Sequence, residues 1–164
     1  MSGAEEFRLI VCGGRDFTDR QFVFDTLRRI HIKRRIGLLI EGGASSLTPD
    51  GKLVGADTFA WEWAVTWRVP VQTFHADWDS LGKAAGPIRN AQMLTEGHAN
   101  GCLAFKGNRG THDMLGKAYA AGVTVMTPGW SWSPAQRQVA QGYQSPAASS
   151  AHRVQEQLPE LGFG

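Results

Sequence analysis

The apolar run FRLIVC at Phe7–Cys12 passes directly into GGRDF at 13–17, and this junction decides the fold. Six nearly continuous apolar residues suit a strand buried on both faces, as in a parallel sheet, better than one with a wet face. The paired glycines mark where the strand ends. Runs of the same character follow at Leu38–Glu41 (LLIE), Val69–His75 (VPVQTFH), Cys102–Phe105 (CLAF) and Val123–Met126 (VTVM). Helical spacing fills the gaps. Gln21–His31 carries Phe24, Leu27 and Ile30, and Asp57–Trp67 carries the stripe Ala60, Trp63, Ala64, Trp67. Pro87–Glu96 opens on a proline, which the first turn tolerates, and Gly97 follows it. Thr111–Ala121 is followed by a stop at Gly122. Alternating strands and helices with right-handed crossovers predict the α/β class: a Rossmann-like, doubly wound sheet of about five mainly parallel strands with helices on both faces.

The chain has 164 residues, 42% hydrophobic and 20% charged, with a net charge of +2, which excludes global disorder and disfavours a dedicated electrostatic nucleic-acid binder. No apolar run is long enough to span a membrane, and MSGAEEFRLIV lacks the basic-then-apolar signature of a leader. Cys12 and Cys102 lie in strand-like runs, as buried thiols do in a reducing cytosol, so a cytoplasmic location is expected. The domain is expected to end near residue 128. Residues 129–164, rich in Ser, Gln, Ala and Pro, read as a partly ordered tail. Short helices are expected there near Ala135–Gln141 and His152–Leu158, with Trp130 and Trp132 docking on the domain.

Many of the 20 glycines fall where an apolar run ends. In an open α/β sheet, ligands bind at the carboxyl ends of the strands, and glycine lets a phosphate approach main-chain N–H groups at the following helix N-terminus. The candidate ligand-binding residues are therefore Gly13, Gly14, Arg15 and Asp16 after the first run, then Gly42, Gly43 and Asp57 after the second. Asp77, Trp78 and Asn90 follow the third, and Lys106, Gly107, Asn108, Arg109, Gly110 and Thr111 the fourth. Any single loop also has a plain explanation, since such turns need glycine; four converging loops favour a phosphate-bearing ligand. The spacing is neither GxGxxG nor GxxxxGK[ST], so an ordinary dehydrogenase or P-loop NTPase is unsupported. Without HExxH or paired CxxC, neither a metal nor a cofactor is expected.

GGRDF (13–17), EGGA with GAD..A..WA (41–44, 55–64), ADW...G..AGPIRN..ML (76–94) and AF.G..GT.DM (104–114) together resemble the DUF2493 (YspA-like) group of the SLOG superfamily. That superfamily also holds the cytokinin-activating phosphoribohydrolases and the DNA-processing protein DprA. The resemblance spans residues 7 to 128 and implies a Rossmann-like domain for a nucleotide or nucleotide-derived ligand. Carried over from the phosphoribohydrolases, it makes Lys106 to Thr111 the phosphate loop, and Asp113 and Arg89 the residues supporting base–ribose cleavage. Lys106 and Asn108 depart from that pattern, and Asp113 is shorter than its glutamate. Ser45–Val54 is an insertion, either a lid or a neutral surface loop.

Each residue also has a plainer role. Thr111 is expected to cap its helix, Asp113 to complement the helix dipole, and Asp57 to cap its own helix. Arg89, early in a helix where the dipole gives a cation nothing, is expected to pair with Asp113 or a ligand phosphate. Trp63 and Trp67 are expected in the core, with Trp78 better placed to stack on a base. The expectation is a protein that binds a nucleoside phosphate or ADP-ribose-like ligand and hydrolyses its N-glycosidic bond. The alternatives are a noncatalytic nucleotide sensor and, from the basic run Arg28–Arg35, a DprA-like DNA binder. Nucleic acid is otherwise not an expected partner. Assembly stays open, although members of the superfamily commonly form dimers.

Overall fold

The computed structural model describes residues 3–134 and the short strand 154–155. The chain runs β1 (Phe7–Cys12), α1 (Arg20–Lys33), β2 (Ile36–Glu41), β3 (Ser46–Leu47), β4 (Leu53–Val54), α2 (Ala56–Thr66) and β5 (Val71–Thr73). It continues through α3 (Trp78–Leu81), a 3-10 turn (Gly82–Ala84), α4 (Ala85–Thr95), β6 (Gly101–Ala104), α5 (Arg109–Ala120), β7 (Thr124–Met126) and β8 (Val154–Gln155). The main sheet has the order β5-β2-β1-β6-β7-β8, and all its pairings are parallel. It is the doubly wound α/β sheet expected, with β8 as a sixth strand.

Side chains alternating along the strands divide the core in two. Leu9, Val11, Leu39 and Leu103 point to one face, where Val23, Leu27 and Ile30 of α1 and Phe59, Ala60 and Trp63 of α2 cover them. Ile10, Cys12, Ile40, Cys102 and Ala104 point to the other, beneath Met93 of α4 and Met114, Leu115 and Ala118 of α5. Each fully buried aliphatic side chain contributes about 1.5–3 kcal/mol, which is why short strands without local propensity to spare hold together. The winding changes face between β1 and β6, and there the βα loops of these two neighbouring strands part and open a crevice. Gly14 N donates to Lys106 O at 3.2 Å and joins the two loops at the base of that crevice.

Several local expectations are corrected. The Ser45–Val54 insertion contains a small antiparallel hairpin, β3–β4, with Ser46 opposite Val54 and Leu47 opposite Leu53. α4 starts at Ala85, because the 3-10 turn feeds directly into it, so Pro87 is inside the first turn. Trp67 is 46% exposed and stacks on the buried Trp63 at 6.1 Å instead of entering the core. Val154–Gln155 is a strand where a helix over His152–Leu158 was expected, because pairing beside β7 satisfies its main chain. The helix expected at Ala135–Gln141 lies outside the described residues. Trp130 and Trp132 do dock: Trp130 Nε1 donates to Ala104 O at 2.8 Å, and Trp132 is buried against Tyr119.

Candidate functional site

A cavity of about 820 Å3 opens at the carboxyl edge of the sheet, over the change of winding. Its wall holds Gly13, Arg15, Asp57, Trp78, Arg89 and Asn90 from the first three expected loops. From the fourth come Asn108, Arg109, Gly110, Thr111 and Asp113. Sequence reasoning missed Cys12, Ala44, Lys83, Gly86, Pro87 and Met93 in the wall. Gly86 and Pro87 stand in the AGPIRN motif, so the signal for those two was present.

The fourth loop leads into a helix with an open end. Asn108 holds the N-cap position of α5, and no side chain caps that helix. Thr111 is therefore not the cap expected of it: α5 begins at Arg109, and His112 N bonds to Asn108 O at 3.0 Å. The first residues of α5, and with them its positive dipole end, sit at the wall of a cavity that Arg15, Lys83 and Arg89 also line. Gly107 makes the loop possible. A Cβ on it would meet Thr111 Oγ1 at 2.1 Å and Gly14 N at 2.7 Å. Gly107 and Lys106 shape the loop from behind and do not line the cavity.

The second loop differs from its expected role. Gly42 N and Ala44 N both donate to Asp57 Oδ2, at 3.1 and 3.0 Å, and Gly43 N donates to Glu41 Oε2 at 2.6 Å. These amides already serve two buried carboxyls, so Gly42 and Gly43 do not present them to a ligand. Asp57 does not cap α2; the N-cap position is Gly55, without a side-chain bond, and the carboxyl reaches instead to the EGGA loop. Thr73 Oγ1 donates to Glu41 Oε1. Burial raises the Glu41 carboxyl above its ordinary range, and burial together with the nearby Glu41 charge pushes Asp57 up to about 7.

Arg89 and Asp113 share the cavity wall but do not pair. Arg89 Nη1 donates to Gly42 O and its Nε to Asn90 Oδ1 at 2.9 Å, which turns the guanidinium toward the second loop. A Cβ at Gly42 would lie 2.4 Å from Arg89 Nη1, so glycine is required for that approach. Asp113 accepts from Asn90 Nδ2 at 2.9 Å and from Lys117 Nζ at 2.5 Å. A neighbouring amide and a lysine one turn along thus replace the expected arginine.

Trp78 is half exposed and is the first residue of α3, not a loop residue. Its ring lies over Gly86, where a Cβ would come within 3.1 Å of Trp78 Cη2, and this seats it at the cavity. Asp77 caps α3 through Ser80 N at 3.1 Å and, like Gly14 and Asp16, is not part of the wall. Cys12 is a neutral thiol: its hydrogen bond with Cys102, then burial, raise it well above the usual range. The basic run lies at the C-terminus of α1, on the edge where the strands begin, opposite the cavity.

An open parallel sheet with a cavity where its winding reverses defines a Rossmann-like α/β domain. The chain belongs to the YspA, cpYpsA-related SLOG family, whose model matches residues 7–80. It is 33% identical over 129 residues to the Gene 61 protein of Mycobacterium phage D29, an alignment covering 74% of this chain and 96% of that one. No solved structure matches it. Membership of a SLOG family suggests a nucleotide-related function. Among the described residues no helix is long and apolar enough to cross a membrane.

Proposed function

We propose that the cavity binds a nucleoside phosphate or an ADP-ribose-like ligand, with a phosphate on the α5 N-terminus and the base against Trp78. The single observation that carries this reading is the uncapped start of α5 at a cavity lined by the basic residues Arg15, Lys83, Arg89 and Arg109. Main-chain N–H groups, a helix dipole and cationic side chains together favour a phosphate over a neutral ligand. Asp57 and Asp113, both buried, are the carboxyls available to a sugar or to chemistry at its C1′.

On such a ligand the residues support hydrolysis of the N-glycosidic bond. Asp113 would stabilise the positive charge that develops at C1′, while Arg89 would orient the ligand. A second reading, a noncatalytic nucleotide sensor, is favoured by the engagement of Asp113 with both Asn90 and Lys117. A DNA-binding role rests on the basic run alone, on the edge away from the cavity. Melting curves of the protein with adenosine 5′-monophosphate and with ADP-ribose test binding, and chromatography of the same mixtures tests for released base. A rise in Tm is expected with each. No rise with any phosphate-bearing nucleotide would sink the reading.

A further inference from the structure

We propose that Asp57 is the proton donor of this site, delivering a proton from Oδ1 to the departing base of a nucleoside 5′-phosphate held by the α5 N-terminus. The inference rests on the hydrolytic reading above and adds a second carboxyl with a separate task.

Asp57 is 4% exposed, forms part of the cavity wall, and has its Oδ2 fixed by the amides of Gly42 and Ala44. Its Oδ1 is shielded from solvent and, among the described residues, has no hydrogen-bond partner. Buried polar atoms are nearly always partnered, and a carboxyl with one oxygen anchored and the other spare is suited to carry a proton toward an incoming acceptor. The charged and titratable groups around it are Glu41 at the end of β2, Arg89 on α4 and Cys12 on β1. Glu41 opposes ionisation of Asp57. Arg89 favours ionisation but makes its hydrogen bonds elsewhere, to Gly42 and Asn90. Asp57 thus sits near neutrality, where a general acid works best. Asp113 instead accepts from the Lys117 ammonium and from Asn90, and keeps the charge-stabilising task given to it above.

In the step, the C1′–N bond breaks with its electron pair on the base, and the base takes the Asp57 proton. Water adds to C1′ and gives one proton to the Asp113 carboxylate; that proton returns to Asp57 through solvent. Nucleotide and water become free base and ribose phosphate, with no change of oxidation state.

The test compares two substrates. Adenine leaves adenosine 5′-monophosphate as an anion unless it is protonated, whereas nicotinamide leaves nicotinamide mononucleotide as a neutral molecule. Asp57→Asn is expected to lower cleavage of the first about 100-fold or more and to change the second less than about threefold. The wild-type rate on the adenine nucleotide is expected to fall as pH rises through about 7, with no such limb in Asp57→Asn. Glu41→Gln keeps an oxygen to accept from Gly43 N and turns an NH2 donor toward the Thr73 hydroxyl, which can accept, while removing the neighbouring charge; it is expected to move that limb to lower pH, and it leaves the acid itself intact. Equal losses on both substrates, or an unmoved limb, would show that Asp57 only shapes the loop. Wild-type protein that binds both nucleotides and cleaves neither overturns the proton donor while leaving nucleotide binding standing. If neither binds, both readings fall.

Discussion

Asn90 Nδ2 donates to Asp113 Oδ2 at 2.9 Å, and the same Nδ2 reaches Gly110 O at 3.2 Å. One buried amide therefore holds both the carboxylate and the first turn of α5 against α4, its neighbour on the same face of the sheet. Asn90→Ala leaves Asp113 dependent on Lys117 alone and unpairs Gly110 O, and is expected to cost about 1–3 kcal/mol in urea unfolding. Asn90→Asp is expected to cost more at neutral pH, because it places a second carboxylate against Asp113. An unchanged midpoint in both variants would remove Asn90 from this role.

How far the site was legible follows from residues such as these. Helix spacing placed Arg89 and Asn90 side by side on α4, and glycine loops placed them near Asp113. Which of the two reaches the carboxylate depends on side-chain rotamers and on the main-chain oxygen of Gly42, and linear sequence does not encode either. The strands were legible because Leu9, Ile10, Val11 and their counterparts are apolar on both faces of the sheet. Strand β8 was not, since two residues carry no periodicity and only pairing with β7 defines them. The role of Asp57 was hidden for a related reason: an acid at a helix start reads as a cap, and its true partners are main-chain amides in an earlier loop.

Asp57 carries a pH dependence of stability with a definite sign. Its folded-state value of about 7 lies above the ordinary 3.8, so the folded state binds the proton more tightly than the unfolded chain. The resulting stabilisation is complete below the ordinary value and is lost as pH rises through about 7; Glu41, also raised, acts in the same direction. Roughly 4 kcal/mol is at stake for Asp57 at an order-of-magnitude level. Asp57→Asn is therefore expected to be more stable than wild type at pH near 8 and to show a flatter profile from pH 4 to 8, measured by urea unfolding. A variant less stable across the whole range would contradict this assignment.

The two glycines flanking Asn108 and Arg109 separate loop shape from helix preference. Gly107→Ala forces a Cβ to within 2.1 Å of Thr111 Oγ1 and 2.7 Å of Gly14 N, and is expected to cost about 1–3 kcal/mol and to abolish the nucleotide-induced rise in Tm. Gly110→Ala meets nothing within 4 Å and is expected to leave the free protein at least as stable. The contrast is read from thermal melts with and without adenosine 5′-monophosphate. Equal behaviour of the two variants would mean that the close packing of the Gly107 loop does not govern the site.

Trp132 belongs to the folded unit although it lies beyond β7. It is 1% exposed, packs among Ile10, Cys102, Met114 and Leu115, and meets the Tyr119 ring at 6.0 Å. Trp132→Ala is expected to cost about 3–5 kcal/mol in unfolding free energy, because the cavity it leaves lies against α5.

Trp78 offers the opposite case, a large aromatic whose loss the fold tolerates. It is 49% exposed and contributes no buried side chain to either core cluster. A base stacked on an exposed aromatic contributes about 1–3 kcal/mol, so Trp78→Ala is expected to weaken nucleotide affinity by roughly 5- to 150-fold. The Tm of the free protein is expected to stay within a few degrees of wild type. Trp78→Phe keeps an aromatic face and is expected to recover most of the affinity, whereas Trp78→Leu is not. Isothermal titration of the three variants with adenosine 5′-monophosphate separates a stacking contact from simple apolar cover: equal affinities for Phe and Leu would leave Trp78 as cover over Gly86 and move the base elsewhere in the cavity.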